Sequence, residues 1–224
     1  RGTAILVVAE GAAAAAAAAA ALEEMGYAGV AFLDAPLAEL PDGLDDRAPA
    51  ARLWRPARFL EEALPRVLAS RPAPGERRPT ALDVACGAGR EAVFLAARGF
   101  EVEARDHAPE ALERARALAR REGVALRAVP CDLESPDLPP PERPFDLVVC
   151  FRFLHRPLFP WIENAVAPGG WLVYETYRAG QERFGKPRRT QFLLRPGELA
   201  GAFPSLETVL CEEPDPPGGP VTAR

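Results

Sequence analysis

Short apolar runs alternate with amphipathic stretches along almost the whole chain. Ala4 to Ala9 is a compact apolar run, suited to a buried parallel strand. Residues 11 to 25 have high helix propensity and stop at Gly26, and a second short strand follows over Gly29 to Leu33. Pro36 to Pro56 is rich in Pro, Gly and Asp and reads as a linker. Phe59 to Ser70 then has helical spacing broken at Pro65, and Pro72 to Pro79 is a loop. Thr80 to Ala85 is a strand that runs directly into Cys86-Gly-Ala-Gly89, with a helix predicted over Arg90 to Arg98.

The same alternation continues. Phe100 to Ala104 is a strand closed by Arg105-Asp106-His107. The next helix is the clearest element. Pro109 stands in its first turn, and Ala111, Leu112, Ala115, Leu118 and Ala119 share one face. Glu110 and Arg114 pair at i, i+4, and Gly123 ends the helix. Strands are predicted over Val124 to Val129, Phe145 to Cys150, Trp171 to Tyr177 and Leu206 to Cys211. Short helices are predicted over Phe159 to Val166 and Glu198 to Phe203, with a long loop from Arg178 to Pro196. Strands alternating with helices define an α/β protein with a Rossmann-like, doubly wound, mostly parallel sheet. The linker divides it into a small segment over residues 1–53 and a larger domain over residues 54–224.

Composition narrows the function classes. The 224 residues carry a net charge of −5, with 48% hydrophobic and 26% charged residues, as in ordinary globular proteins. An acidic balance argues against a non-specific nucleic-acid binder. Every apolar stretch is broken before it could span a bilayer, and the alanine run from Ala12 to Ala21 is too short and weakly apolar to anchor in one. No signal-peptide layout is visible, and Cys86, Cys131, Cys150 and Cys211 are widely spaced. They are expected as reduced thiols of a cytoplasmic protein, with no metal site. The 25 prolines, the single lysine and the alanine run fit a coding bias rather than a function. Both ends have the look of cuts from a longer chain.

Chemistry concentrates after the strands, where doubly wound sheets bind ligands. Gly87-Ala-Gly89-Arg-Glu-Ala92 matches G-x-G-x-x-A between a strand and a helix. Asp106 ends the next strand, where an acid can accept hydrogen bonds from ribose hydroxyls. Alone, this pattern also suits NAD. Asp83, four residues before Gly87, would repel a pyrophosphate but suits an ammonium group. Asp132 ends the third strand, where a carboxylate or neighbouring amide can meet an exocyclic amine such as that of adenine. An adenosine with a cationic amino-acid tail, S-adenosylmethionine, has both groups.

Leu82 to Arg90, Gly99 to Asp106, Cys131-Asp132, Phe145 to Val149 and Pro168 to Val173 together resemble the successive motifs of class I S-adenosylmethionine-dependent methyltransferases. Cys86 to Gly99 is especially similar to the tellurite-resistance and thiopurine-type branch, whose substrates are small molecules. The resemblance implies that Asp83, Gly87 and Gly89, with Ala85 and Cys86, surround the methionine moiety. It implies Asp106, with His107, at the ribose, Asp132 and Leu133 at the adenine, and Cys150 and Phe151 lining the transfer site. Ala85 stands where the family usually has the first glycine of its loop, a departure that alanine tolerates if that position has φ < 0.

Acceptor groups are expected from Arg152, His155, Arg156, Glu175 and Tyr177, with His155 as the candidate base. Residues 178–195 hold six basic residues against one acid, Glu182, and suggest a lid for an anionic acceptor. The place where base-amine methyltransferases carry D/N-P-P-aromatic reads Cys-Phe-Arg-Phe, which argues against nucleic acid as acceptor. Asp215-Pro-Pro217 reads as a turn. Alternatives to a methyltransferase are an NAD-dependent oxidoreductase and a catalytically silent cofactor-binding scaffold. Ala4 to Leu40 resembles the carboxyl half of a rhodanese-like domain, but Ala9-Glu-Gly-Ala-Ala13 lacks the nucleophilic Cys, so sulfur transfer is not expected there.

Overall fold

The computed structural model describes residues 5–9, 12–24, 30–34, 54–70 and 77–224. The chain divides into two compact units, residues 1–52 and 53–224. In the first, β1 (Ile5–Ala9) and β2 (Val30–Asp34) pair in parallel through α1 (Ala12–Glu24). The alanine run is helical and buries Ala15 and Ala19, one turn apart on one face. The predicted stop at Gly26, most of the 36–56 linker and the start of the 72–79 loop lie outside the described residues.

The second unit holds a six-stranded sheet in the order β5-β4-β3-β6-β7-β8. Its strands are β3 (Thr80–Val84), β4 (Glu101–Asp106), β5 (Arg127–Pro130), β6 (Phe145–Phe151), β7 (Val166–Tyr177) and β8 (Thr222–Ala223). All pairings are parallel except β7 with β8. The chain winds outward one way from β3 and the other way from β6, so the topological switch lies between these two central strands.

Alternation along β6 shows how the layers form. Leu147, Val149 and Phe151 enter one core with α2 (Arg58–Ala69), α3 (Arg90–Ala96) and α4 (Pro109–Arg121). Val148 and Cys150 enter the other, with α5 (Phe159–Asn164) and Leu133, Tyr174 and Leu194. Near the start of the strands, Asp146 accepts hydrogen bonds from both Arg77 Nη atoms (2.8 and 2.7 Å) and from the Thr80 amide (2.7 Å) and hydroxyl (3.0 Å). The Arg77 guanidinium, helped by Thr80, holds that carboxyl below the usual carboxylate range. Glu103 and Arg105 are both buried and paired at 2.6 Å, with Arg127 of β5 joining Glu103 at 2.9 Å.

Several boundaries differ from expectation. Helix α2 runs through Pro65, which sits on its exposed face, because Phe59, Leu60, Leu64 and Val67 are buried at helical spacing. Four such side chains at roughly 1.5–3 kcal/mol each outweigh a mid-helix proline at roughly 3 kcal/mol. Strand β7 begins five residues before Trp171, at a register irregularity opposite Phe145 and Leu147. Gly170 makes that approach possible, since a Cβ there would lie 2.8 Å from Ala167 O and 3.0 Å from Phe145 O. Leu206 to Cys211 is not a strand. It finds no partner strand among the described residues, and Glu212 is the position that pairs with Arg224 through two backbone hydrogen bonds of 2.7 and 2.9 Å.

Candidate cofactor and acceptor site

The ends of β3, β4 and β5 are laced together around Asp106. Its Oδ2 accepts the Gly87 N–H and its Oδ1 the Ala108 N–H, each at 2.9 Å. Its carbonyl accepts the Cys131 N–H at 2.9 Å, and the Cys86 N–H donates to Arg105 O at 2.9 Å. Ala85, Asp106, His107, Cys131, Asp132, Leu133, Glu134 and Phe153 line the resulting cavity of about 400 Å³. That volume is in the range of small-molecule sites. A larger groove of about 960 Å³ runs along the outer edge of β7, between Phe59, Trp171, Phe203 and Leu206, and includes none of the residues after β3, β4 or β5. Convergent polar groups, not size, single out the smaller cavity.

The glycine loop has three left-handed residues: Ala85 (φ 57°), Gly87 (φ 52°) and Gly89 (φ 76°). The condition of φ < 0 is not met at Ala85: an alanine holds a conformation that favours glycine. The two glycines serve different ends. A Cβ at Gly87 would meet nothing within 4 Å, so open space lies beside that backbone. A Cβ at Gly89 would lie 2.6 Å from Ala115 Cβ, so glycine there lets α4 pack on the loop.

Five of the expected cofactor residues line the cavity: Ala85, Asp106, His107, Asp132 and Leu133. The others stand behind it. Asp83 is 2% exposed and its Oδ2 accepts the Ala92 N–H at 3.0 Å, tying β3 to α3. Burial, with the Glu91 charge adding to it, pushes the Asp83 carboxyl well above the usual range. Cys86 is also buried, and burial with Asp83 raises its thiol. Cys150 is fully buried in the α5-side core, and Phe151 packs in the opposite core. Neither lines this cavity, because alternation along β6 turns both side chains into the layers. Asp132 is exposed and its Oδ1 accepts the Glu134 N–H at 3.0 Å, closing a local turn. Phe153, Cys131 and Glu134 complete the wall, with Phe153 and Glu134 unforeseen from sequence. A strand-end signal misses them because they sit in the loops beyond.

On the β6–β7 side, Arg152 is exposed at φ 59°, with its N–H donating to Glu175 O at 2.8 Å. The Glu175 carboxylate lies 4.0 Å from Arg224 Nη1 and is largely buried. Burial raises its pKa, and Arg224 and Arg152 oppose the rise. His155 is half-buried, and its imidazole has no hydrogen-bond partner among the described residues. Arg156 is not free for an acceptor: Glu198 chelates it at 2.5 and 2.9 Å. Among the described residues no group of three His, Cys, Asp or Glu side chains could hold a metal ion, and no helix is long and apolar enough to cross a membrane.

Residues 81–170 match the family model described as a methyltransferase domain. In fold, the chain is similar to TehB from Haemophilus influenzae, at 15% identity and a TM-score of 0.55, over 70% of this chain and 52% of that one. It is similarly related to the structure described as conversion of a disulfide bond into a thioacetal group during echinomycin biosynthesis, at 20% identity and a TM-score of 0.52. That match covers 69% of this chain and 68% of the other. Over 97 residues the sequence is 34% identical to Hemagglutinin 1 of Eikenella corrodens, covering 40% of this chain and 31% of that protein. The chain thus spans about a third of this curated relative and about half of TehB. The sheet has the Rossmann-like class I fold. Residues 81–170 are thus similar in sequence to a methyltransferase domain.

Proposed function

We propose that the whole protein transfers a methyl group from S-adenosylmethionine to a small organic molecule. The observation that carries the reading is the lacing of three strand ends by Asp106 around one cavity, with Asp132 at its far wall. The residues present fit the cofactor. Asp106 keeps carboxylate lone pairs for ribose hydroxyls beside its two amide bonds. Asp132 and Leu133 offer a polar edge and an apolar face to adenine, and the open side of Gly87 admits the amino-acid tail. When bound, the cofactor supplies an electrophilic methyl group on sulfur.

The chain's own task is then to position the acceptor and exclude water. Arg152, His155 and Glu175 stand at the carboxyl ends of β6 and β7 for this purpose. His155 is the group to accept a proton, at an imidazole nitrogen, where the acceptor must lose one. The net charge of −5 supports a small acceptor rather than nucleic acid. All four cysteines are free, in keeping with a cytoplasmic setting. Residues 1–52 are read as a rhodanese-like βαβ piece without sulfur-transfer chemistry, and the loop at Glu10 and Gly11 lies outside the described residues. The test is a screen of small thiols, phenols and amines with methyl-labelled S-adenosylmethionine. Label transfer to one class supports the reading, and label found only on nucleic acid would overturn it.

A further inference from the structure

The loop after β7 leaves the carboxyl end of the sheet and returns to it. Leu194 N–H donates to Tyr177 O at 3.0 Å, and Ala179 N–H to Leu194 O at 2.9 Å. Residues 178–194 therefore form a closed Ω-type excursion with both feet at the end of β7. Leu194 is fully buried and plugs the returning foot into the core.

The structure splits the six cations of this region into two groups. Arg183 makes a bidentate pair with Asp215 at 2.7 and 2.9 Å. Arg178 donates to Glu213 O at 3.2 Å, and Arg195 reaches Glu198 at 3.4 Å. These three fasten the loop to residues 198–215. Lys186, Arg188 and Arg189 are exposed and make no side-chain hydrogen bond or ion pair among the described residues. Phe184 and Phe192, 42% and 38% exposed, flank them.

The backbone around these three cations is nevertheless pinned. Gln181 Nε2 donates to Lys186 O at 3.3 Å. The Arg156 guanidinium donates to Gln191 O at 3.0 Å and Leu193 O at 2.9 Å while Glu198 chelates it. Arg156 follows β6, so a side chain from the neighbouring strand end fixes residues 191–193, the stretch that follows the cationic tip. A tip held by bonds that do not use its charges is preorganised, and loses little freedom when an anion binds. Guanidinium forks match oxyanions with two parallel N–H bonds, and exposed aromatic rings suit an apolar body.

We propose that Lys186, Arg188 and Arg189 form a subsite for an oxyanion group, carboxylate or phosphate, on an organic methyl acceptor, and that Arg156 is its positioning residue. The inference rests on the methyl-transfer reading above. Its test uses the full chain titrated calorimetrically with benzoate and with benzamide, with and without S-adenosylhomocysteine. Benzoate binds at least tenfold more tightly than benzamide, and added NaCl weakens only benzoate. The double variant R188A/R189A loses tenfold or more for benzoate, while benzamide and S-adenosylhomocysteine change less than twofold. R156Q lowers benzoate affinity although it removes no tip cation, and R156K restores part of it. Equal affinity for the two probes, or benzoate binding unchanged in R188A/R189A, overturns the subsite. Failure of S-adenosylhomocysteine to bind the unaltered protein overturns the methyl-transfer reading instead, and the titrations run without it keep the two failures apart.

Discussion

Replacing Ala85 with glycine should stabilise the larger unit, against the usual direction of an Ala→Gly change. Ala85 has φ 57°, with its side chain at the cavity wall. A left-handed conformation costs an L-residue roughly 1–2 kcal/mol, from the crowding of Cβ against the carbonyl oxygen. Glycine removes that cost but has more unfolded-state freedom to lose, about 0.4–1 kcal/mol. The difference leaves about 0.5–1 kcal/mol in favour of A85G. For a domain of this size that is a rise in Tm of about 1–4 °C. All three tryptophans, Trp54, Trp161 and Trp171, lie in the larger unit, so fluorescence-monitored urea unfolding reports on it alone. The expected result is a higher midpoint at unchanged slope. A lower midpoint would show that Ala85 is not strained, or that its methyl contributes packing worth more than the strain.

Gly89→Ala should act in the opposite sense. It places a Cβ 2.6 Å from Ala115 Cβ and 3.0 Å from Ala115 Cα at φ 76°, and a loss above about 2 kcal/mol is expected in the same unfolding assay. Asp146→Asn removes the charge from four hydrogen bonds and should cost about 2 kcal/mol at neutral pH. Because the folded-state pKa of Asp146 is depressed, its contribution is complete above the unfolded value of about 4 and fades as pH falls below it. Wild type and D146N should therefore converge in stability on acidification, and a constant gap from pH 7 to pH 3 would count against the ion pair. Glu198, held at about 2 by Arg156, titrates with the same sign. E198Q should weaken loop 178–194 at neutral pH, measured as faster amide exchange at Leu193 and Leu194.

The parallel sheet and the strand-end acids were readable because both depend on local pattern. Apolar runs set the strands, and the rule that ligands lie past strand ends put Asp106 and Asp132 in view. What stayed hidden depends on distant partners. Nothing near Arg156 announces Glu198, 42 residues on, so a structural clamp read as an acceptor group. Leu206 to Cys211 has the apolar character of a strand, but strand formation needs a neighbour that sequence does not supply. Gly89 was read for its backbone freedom, whereas its contact with Ala115 of α4 adds a packing requirement. Ala85 stood out as a departure from the glycine motif, but its φ of 57° depends on the fold around it and cannot be read from the residue alone. The pleat at the end of β6 turns Cys150 and Phe151 into opposite cores, a layering that alternation along the strand sets.

The central claim is that the cavity around Asp106 takes an adenosyl ligand with an amino-acid tail. Calorimetric titration of the full chain with S-adenosylhomocysteine and with NAD, in the wild type and in D106A, tests it directly. The account predicts saturable 1:1 binding of S-adenosylhomocysteine, no binding of NAD, and at least a tenfold loss of affinity in a folded D106A. Binding of NAD in place of S-adenosylhomocysteine, or unchanged affinity in D106A, would contradict it.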